Sequence, residues 1–243
     1  MTAPEAELLA PPPAAEQVFG SALPRLQAFA ALLAGPGVER GLLGPREAPR
    51  LWERHLLNCA GLSELVAEGE VVLDLGSGAG LPGLVLALQR PDVQVVLVES
   101  LQRRAAFLTE AVEALGLQTV VVRRARAEEL HGSLEVDVVT ARAVAPVDRL
   151  AGWALPLLRP GGRLLALKGE QASTELAAAG PTLKLHGAVS SSVVSVGSQE
   201  LCTAARVVVV ARGTAVAATA RRTARPSPRA GGTSATSKRR DRR

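Results

Sequence analysis

The sequence predicts an α/β fold built on a mostly parallel sheet, and three observations carry that expectation. From residue 71 onward, short Val- and Leu-rich runs alternate with helix-length segments. The first run leads straight into a ladder of glycines, VVLDLGSGAGLPG (71–83). The last two runs, AVSSSVVSV and AARVVVVAR, follow one another as a strand pair, which predicts an antiparallel C-terminal edge. Alternating units of this length imply a parallel sheet covered on both faces. With 243 residues, 47% of them apolar, and no internal repeat, the chain has material for one sizeable core.

The elements are read in order. Residues 1–18, which include the acidic and proline-broken MTAPEAELLAPPPAAEQ, are expected to form a flexible N-terminal arm. Residues 19–68 hold SALPRLQAFAALLA and EAPRLWERHLLNCAGLSEL, two helical stretches separated by GPG and GPRE, and form an N-terminal helical cap. Residues 69–212 make the main domain, with strands at VVLDL (71–75), VQVVLVE (93–99), TVVVRR (119–124), VDVVTA (136–141) and RLLALK (163–168). Between them, LQRRAAFLTEAVEALG places Leu101, Ala105, Leu108, Val112 and Leu115 at helical spacing. Residues 213–243 carry eight Arg and one Lys against one Asp, a net charge of +8, so the formal +5 of the chain hides a body of −3. That tail is rich in Gly, Pro, Ser and Thr and is expected to be disordered; it offers either salt-sensitive attraction to RNA phosphates or only a solvated extension.

Composition excludes several classes. No apolar run approaches the ~18 residues of a membrane helix, and the start does not resemble a signal peptide, so a cytoplasmic protein is expected. Two cysteines give no disulfide framework, and His55 with Cys59 supplies too few ligands for zinc, so no metal is expected.

The glycine loop follows the first strand and opens the first helix, where backbone must approach a ligand closely. GAGLPG (78–83) satisfies the G-x-G-x-x-G of dinucleotide sites, whereas DLGSGAG (74–80) matches the D-x-G-x-G-x-G of proteins that bind S-adenosylmethionine. Asp74 favours the second, because a carboxylate repels a pyrophosphate and suits a ligand carrying an ammonium and a sulfonium. A carboxylate that only accepts hydrogen bonds from the loop amides would read the same way. Glu99, at the end of the second strand, is placed to hold ribose hydroxyls, and Ala127 with Glu128 to read an adenine edge. Each of these acids has a plainer reading, at a solvated strand end or in a helix's first turn.

The segments LDLGSGAGLPG, VESLQRRAAFL, RAEEL and VVTARAVAPVDRLAGWALPLLRPGGRLLALKG, with WERHLLN before them, resemble the bacterial small-subunit rRNA methyltransferase family known as RsmG or GidB, from about residue 50 to 212. The resemblance implies a Rossmann-like class I S-adenosylmethionine-dependent methyltransferase sheet. It also implies methylation of N7 of one guanine in a decoding-site loop of 16S rRNA, with the 16S rRNA or the 30S subunit as partner. Carried over by motif, cofactor contacts fall on Gly76, Leu81, Ala127, Glu128 and Arg142; position adds Gly78 and Glu99 beside Asp74. Arg142 is expected to orient the methionine portion or the guanine, and Lys168 to meet an RNA phosphate, both as positioning groups without a general base. Arg54 and His55 are expected to face RNA. A monomer is expected.

The chain departs from other base-modifying chemistries. Neither cysteine follows a proline, as a C5-cytosine nucleophile does, and no Asn/Asp/Ser-Pro-Pro-aromatic motif for exocyclic amines is present. Guanine N7 already offers a lone pair with no proton to remove. Only five aromatics occur; Phe107 and Trp153 are expected to pack on the sheet, which leaves Arg or Trp52 to stack on a looped-out base. The other readings are a small-molecule methyltransferase using the cap as a lid, a noncatalytic ribosome-binding protein, and, more distantly, a nicotinamide oxidoreductase.

Overall fold

Strands β1 (Val71–Leu75), β2 (Gln94–Val98), β3 (Val120–Arg123), β4 (Val136–Arg142), β5 (Leu158–Lys168), β6 (Ala188–Val196) and β7 (Ala205–Arg212) form one sheet in the order β3-β2-β1-β4-β5-β7-β6. The structure is a computed structural model and describes residues 10–214 apart from 200 and 202. Strands β1 to β5 pair in parallel, and β7 pairs antiparallel with both β5 and β6. The reversed strand of the expected edge is therefore β7, one place in, with β6 outermost. The basic tail lies outside the described residues from 215 on.

Side chains alternate across the parallel strands, as the two-residue period of a strand requires. Val72, Val95, Val138, Leu165 and Val207 enter one core layer, while Leu73, Val139, Leu164, Ala166 and Val208 enter the other. Helices α5 (Val147–Ala154) and α6 (Ala172–Leu185) cover the second face. The first face carries α3 (Gly83–Gln89), α4 (Gln102–Ala114) and the cap. All residues from Gly83 to Leu88 in α3 are buried, which suits a helix apolar on every side and held between sheet and cap. In α4 the buried stripe is Ala105, Phe107, Leu108 and Ala111. Leu101, expected on that stripe, precedes the first turn and is 53% exposed.

The cap begins earlier than expected. Helix α1 (Pro13–Phe19), which opens on a proline, starts within the stretch read as a flexible arm, ends on the first residue of the expected cap and buries Ala15 and Phe19. Helix α2 (Leu23–Leu32) buries Leu26, Phe29 and Ala30, and a π-helical turn follows at Leu33–Gly37. This run, Pro13–Gly37, is 25 residues long and apolar enough by length and composition to cross a membrane, against the expectation from the sequence. Its apolar side, however, is joined to the sheet's first core layer. A second π-helical turn, Trp52–Leu57, buries Trp52, Leu56 and Leu57 in the same layer, so cap and sheet share one core. Trp52 packs against Phe19 with ring centroids 6.3 Å apart and is only 4% exposed. It is therefore withdrawn as a stacking surface for a base.

Candidate active site

Strand order reverses between β1 and β4, and an open α/β sheet gathers ligands at the carboxyl ends flanking such a point. The glycine loop leaves β1 there. Gly76 has φ +69°, and the Gly76 and Ser77 amides donate to Val98 O at 2.8 and 3.0 Å, folding the loop over the end of β2. A Cβ on Gly76 would also meet Val144 Cγ2 at 3.0 Å. The left-handed φ and the close approach together select glycine. Asp74, expected at the mouth of the loop, instead lies fully buried beneath it. Its Oδ2 accepts from the Gly83 amide at 3.0 Å, and a Cβ on Gly83 would strike that same oxygen at 2.7 Å. Asp74 is thus an anchor from strand to helix. Its Oδ1 is a buried oxygen with no partner among the described residues, and Asp74 lines neither cavity of this site. Burial pushes the carboxyl up to about 7, against the pull of the Gly83 amide and the Arg142 guanidinium.

A cavity of about 300 Å³ opens beside the loop, walled by Gly76, Glu99, Ala127, Glu128, Val144 and Trp153 among others. Glu99 is 4% exposed; its Oε2 accepts from Gly78 at 3.1 Å and its Oε1 from Leu101 at 2.9 Å. Each oxygen keeps lone-pair capacity, so the acid is oriented by backbone and still able to accept from ribose hydroxyls. Ala127 opens a short 3-10 turn, Ala127–Leu130, in which Glu129 turns back to cap the Arg126 amide at 2.8 Å while Glu128 stays on the cavity wall. Gly76, Glu99, Ala127 and Glu128 thus meet at one cavity, with Gly78 bonded to it through Glu99. Leu81 does not line it and packs on the first core layer. Trp153 packs against the second core layer, as expected, and also forms part of the wall. It lies off the buried stripe Val147, Leu150, Ala151 and Ala154 of α5, the one signal in the sequence that could have placed it there. An apolar aromatic wall, a buried acid and a glycine cradle without an arginine or lysine in the loop fit an uncharged adenosine portion better than a pyrophosphate.

Arg142, expected in the cofactor set, does not line this cavity. It stands on a second one, of about 540 Å³, together with Asn58, Val144, Lys168 and Glu175. Val144 belongs to both walls. The Arg142 guanidinium is committed to the cap: Nη1 donates to His55 O at 3.3 Å and contacts Cys59 Sγ at 3.1 Å. Nη2 donates to Arg54 O at 3.0 Å and to His55 Nδ1 at 2.8 Å. Because arginine only donates, His55 Nδ1 accepts and Nε2 carries the proton, which it gives to Glu47 Oε2 at 3.0 Å. Burial, then Arg142, holds the His55 pKa below its usual value, consistent with this neutral tautomer. Burial raises the Cys59 thiol pKa, so Cys59 meets Arg142 as a thiol. Next in the chain, Ala143 takes φ +54°, a left-handed conformation rare outside glycine and met at sites held by their surroundings.

Lys168 corrects a second expectation. Its Nζ donates to Ala145 O at 2.6 Å and to Glu175 Oε2 at 2.7 Å, with 10% of the side chain exposed. A lysine with its charge paired inside the wall has little left for an RNA phosphate; it ties the loop after β4 to α6. Arg54 is half exposed and leans on Glu47 at 3.4 Å, and His55 is turned inward to Arg142 and Glu47. Asn58, the last residue of WERHLLN, and Glu175, which the sequence did not single out, complete the second cavity.

The reversed β7 between β5 and β6, the glycine loop after β1 and the buried acid after β2 define a class I S-adenosylmethionine-dependent methyltransferase fold. The chain belongs to the GidB family, described as rRNA small subunit methyltransferase G, which it matches over residues 22–203. It is 55% identical over 210 residues to the ribosomal RNA small subunit methyltransferase G of Thermobifida fusca (strain YX), covering 86% of this chain and 89% of that one. The protein of the same name from Streptomyces avermitilis is 59% identical over 193 residues, covering 79% and 81%.

Proposed function

We propose that this chain transfers the methyl group of S-adenosylmethionine to N7 of one guanine in 16S rRNA, in the cytoplasm, with the 30S subunit or its rRNA as partner. The observation that carries the reading is the family match across residues 22–203, which spans both cavities. Enzymatic methylation of small-subunit rRNA with this cofactor follows from the family; the N7 position is the finer part of the proposal.

Charge distribution supports a nucleic-acid substrate. Arg40, Arg90 and Arg163 are neutralised by Glu110, Asp92 and Glu70, whereas Arg46, Arg50 and Arg206 are exposed and form no ion pair among the described residues. Around the carboxyl ends of the strands, Arg103, Arg123, Arg124, Arg126 and Arg149 are exposed, and no carboxylate of a described residue lies within the 4.0 Å of an ion pair. Unpaired cations beside a cofactor cavity provide phosphate contacts.

When bound, the cofactor supplies an electrophilic methyl on a sulfonium that departs as a neutral thioether. The chain's own task is placement. Gly76 and Val144 bring backbone and side chain together where the two cavities adjoin, Glu99 and Glu128 accept from the adenosine portion, and Arg142 fixes the cap over the second cavity. N7 carries no proton, so no side chain needs to remove one, and alignment alone is worth up to about 7 to 11 kcal/mol. Arg142, with its Nη donors engaged by the cap, positions the cap and is not assigned to contact with N7.

The test is transfer of labelled methyl to 30S subunits and to free 16S rRNA from a strain lacking the activity, followed by nucleoside mass spectrometry. New 7-methylguanosine at one site is expected. Label in another nucleoside would overturn the N7 assignment, and no label in either RNA, with cofactor bound, would overturn the rRNA reading.

A further inference from the structure

The second cavity contains one carboxylate among its lining residues, and its position suggests what it reads. Glu175 sits in the first turn of α6, 30% exposed at its side chain, with Oε2 held by Lys168 Nζ at 2.7 Å. Lys168 is itself fixed by Ala145 O at 2.6 Å, one residue from Val144, whose side chain divides this cavity from the adenosine cavity. The carboxylate is thus oriented by a part-buried cation and connected through two hydrogen bonds and one peptide link to the place where the cavities meet. Among the described residues, Oε1 has no hydrogen-bond partner.

We infer that the second cavity is the base pocket and that Glu175 is its specificity residue, accepting hydrogen bonds from N1–H and the N2 amino group of guanine. The inference rests on the reading that guanine N7 is methylated, and it adds how guanine is chosen. N7 lies on the imidazole side of the purine, away from N1 and N2. A base whose N7 is turned toward the Val144 boundary therefore carries its Watson–Crick edge toward the rest of the cavity, where Lys168 and Glu175 stand. Guanine offers two donors there, which a carboxylate can accept together; adenine offers an unprotonated N1, which a carboxylate repels. Pyrimidines have no N7. Asn58, whose amide is a donor of the type that O6 requires, also lines this cavity. The cavity, at about 540 Å³, falls within the range of small-ligand sites. Trp52 is buried against Phe19, so recognition by this polar edge, rather than by stacking on that ring, is what the cavity offers.

The experiment compares 30S subunits reconstituted with guanosine or with inosine, which lacks the N2 amine, at the target position. Initial rates give kcat/KM for the wild type and for Glu175→Gln, each with its cofactor affinity and thermal midpoint recorded. The wild type should lose about tenfold or more on inosine, because a carboxylate oxygen covered by the bound base is left without one of its donors. Glu175→Gln should lose at least as much on guanosine, keep its cofactor affinity, and show no further loss from guanosine to inosine. A variant that retains the full guanosine preference would overturn the assignment. Should the variant not fold, Glu175→Asp, which keeps the charge and shortens the reach, takes its place: an unchanged guanosine preference in it overturns the assignment, as do equal wild-type rates on guanosine and inosine, and a reduced preference with cofactor affinity kept supports it. Absence of any 7-methylguanosine on the guanosine particle would instead overturn the reaction reading itself, and is distinguishable from a lost preference.

Discussion

The two cavities on either side of Val144 are built by different means. The adenosine side is made of backbone and near neighbours: Gly76 and Ser77 fold onto Val98, and Glu99 is fixed by the amides of Gly78 and Leu101. The substrate side is made of long-range side-chain contacts, with Arg142 reaching partners 83 to 88 residues away in the cap. A site built from strand ends and loop amides is set once the sheet forms. One built from a single guanidinium and a cap is set only when both have docked.

The contrast predicts separable losses. The largest loss of cofactor affinity is expected from Glu99→Gln, which removes the charge and one acceptor from the adenosine cavity. Cofactor affinity should fall about 30-fold or more, in line with charged hydrogen bonds of roughly 1.5–3 kcal/mol each, while affinity for 30S subunits stays unchanged in equilibrium binding. Weakening of both together would mean that the two sides are one unit.

A smaller effect is expected from pH, and it has opposite sign on the two sides. Asp74 is raised to about 7, above its ordinary value, so the native state holds its proton more tightly than the unfolded chain does. Its contribution to stability is full at low pH and is lost as pH rises through about 7. His55 is lowered, so its contribution is full above its ordinary pKa and is lost as pH falls below it. Thermal midpoints between pH 5 and 8 should therefore shift in favour of Asp74→Asn as pH rises, and in favour of His55→Gln as pH falls. Parallel profiles for both variants would contradict the assignment of either group.

The smallest change is expected on the unpaired arginines. Arg124→Ala should weaken RNA binding a few-fold and reduce the slope of log affinity against log salt by about 1, without touching cofactor affinity. A slope identical to that of the wild type would place the phosphate path elsewhere.

The same contrast explains what was legible in the sequence. The alternating strands, the reversed strand near the end and the loop residues Gly76, Gly78 and Glu99 follow from local pattern, because each depends on residues within one strand-loop-helix unit. Ala127 and Glu128 belong to the same class, although the sequence could not say that Glu129 would turn back to Arg126 while Glu128 faced the cavity. Burial and pairing were not legible. Asp74 was placed at the mouth because its carboxylate could be read but not its depth. Lys168 was offered to RNA because nothing in ALKG shows that Glu175 and Ala145 O would engage it. Trp153 packs on the second core layer and also reaches the cavity, while Trp52 is buried against Phe19: which face of a short helix meets a cavity depends on what packs beside it, a property of the assembled core.

The most direct test of two sides with separate construction is Arg142→Ala, with cofactor binding by calorimetry and methyl transfer to 30S subunits measured on the same preparation. Cofactor affinity within about threefold of wild type, with transfer reduced about 100-fold or more through a misplaced cap, is the predicted result. Cofactor affinity falling in step with turnover would show that Arg142 serves the adenosine side, and would contradict the division at Val144.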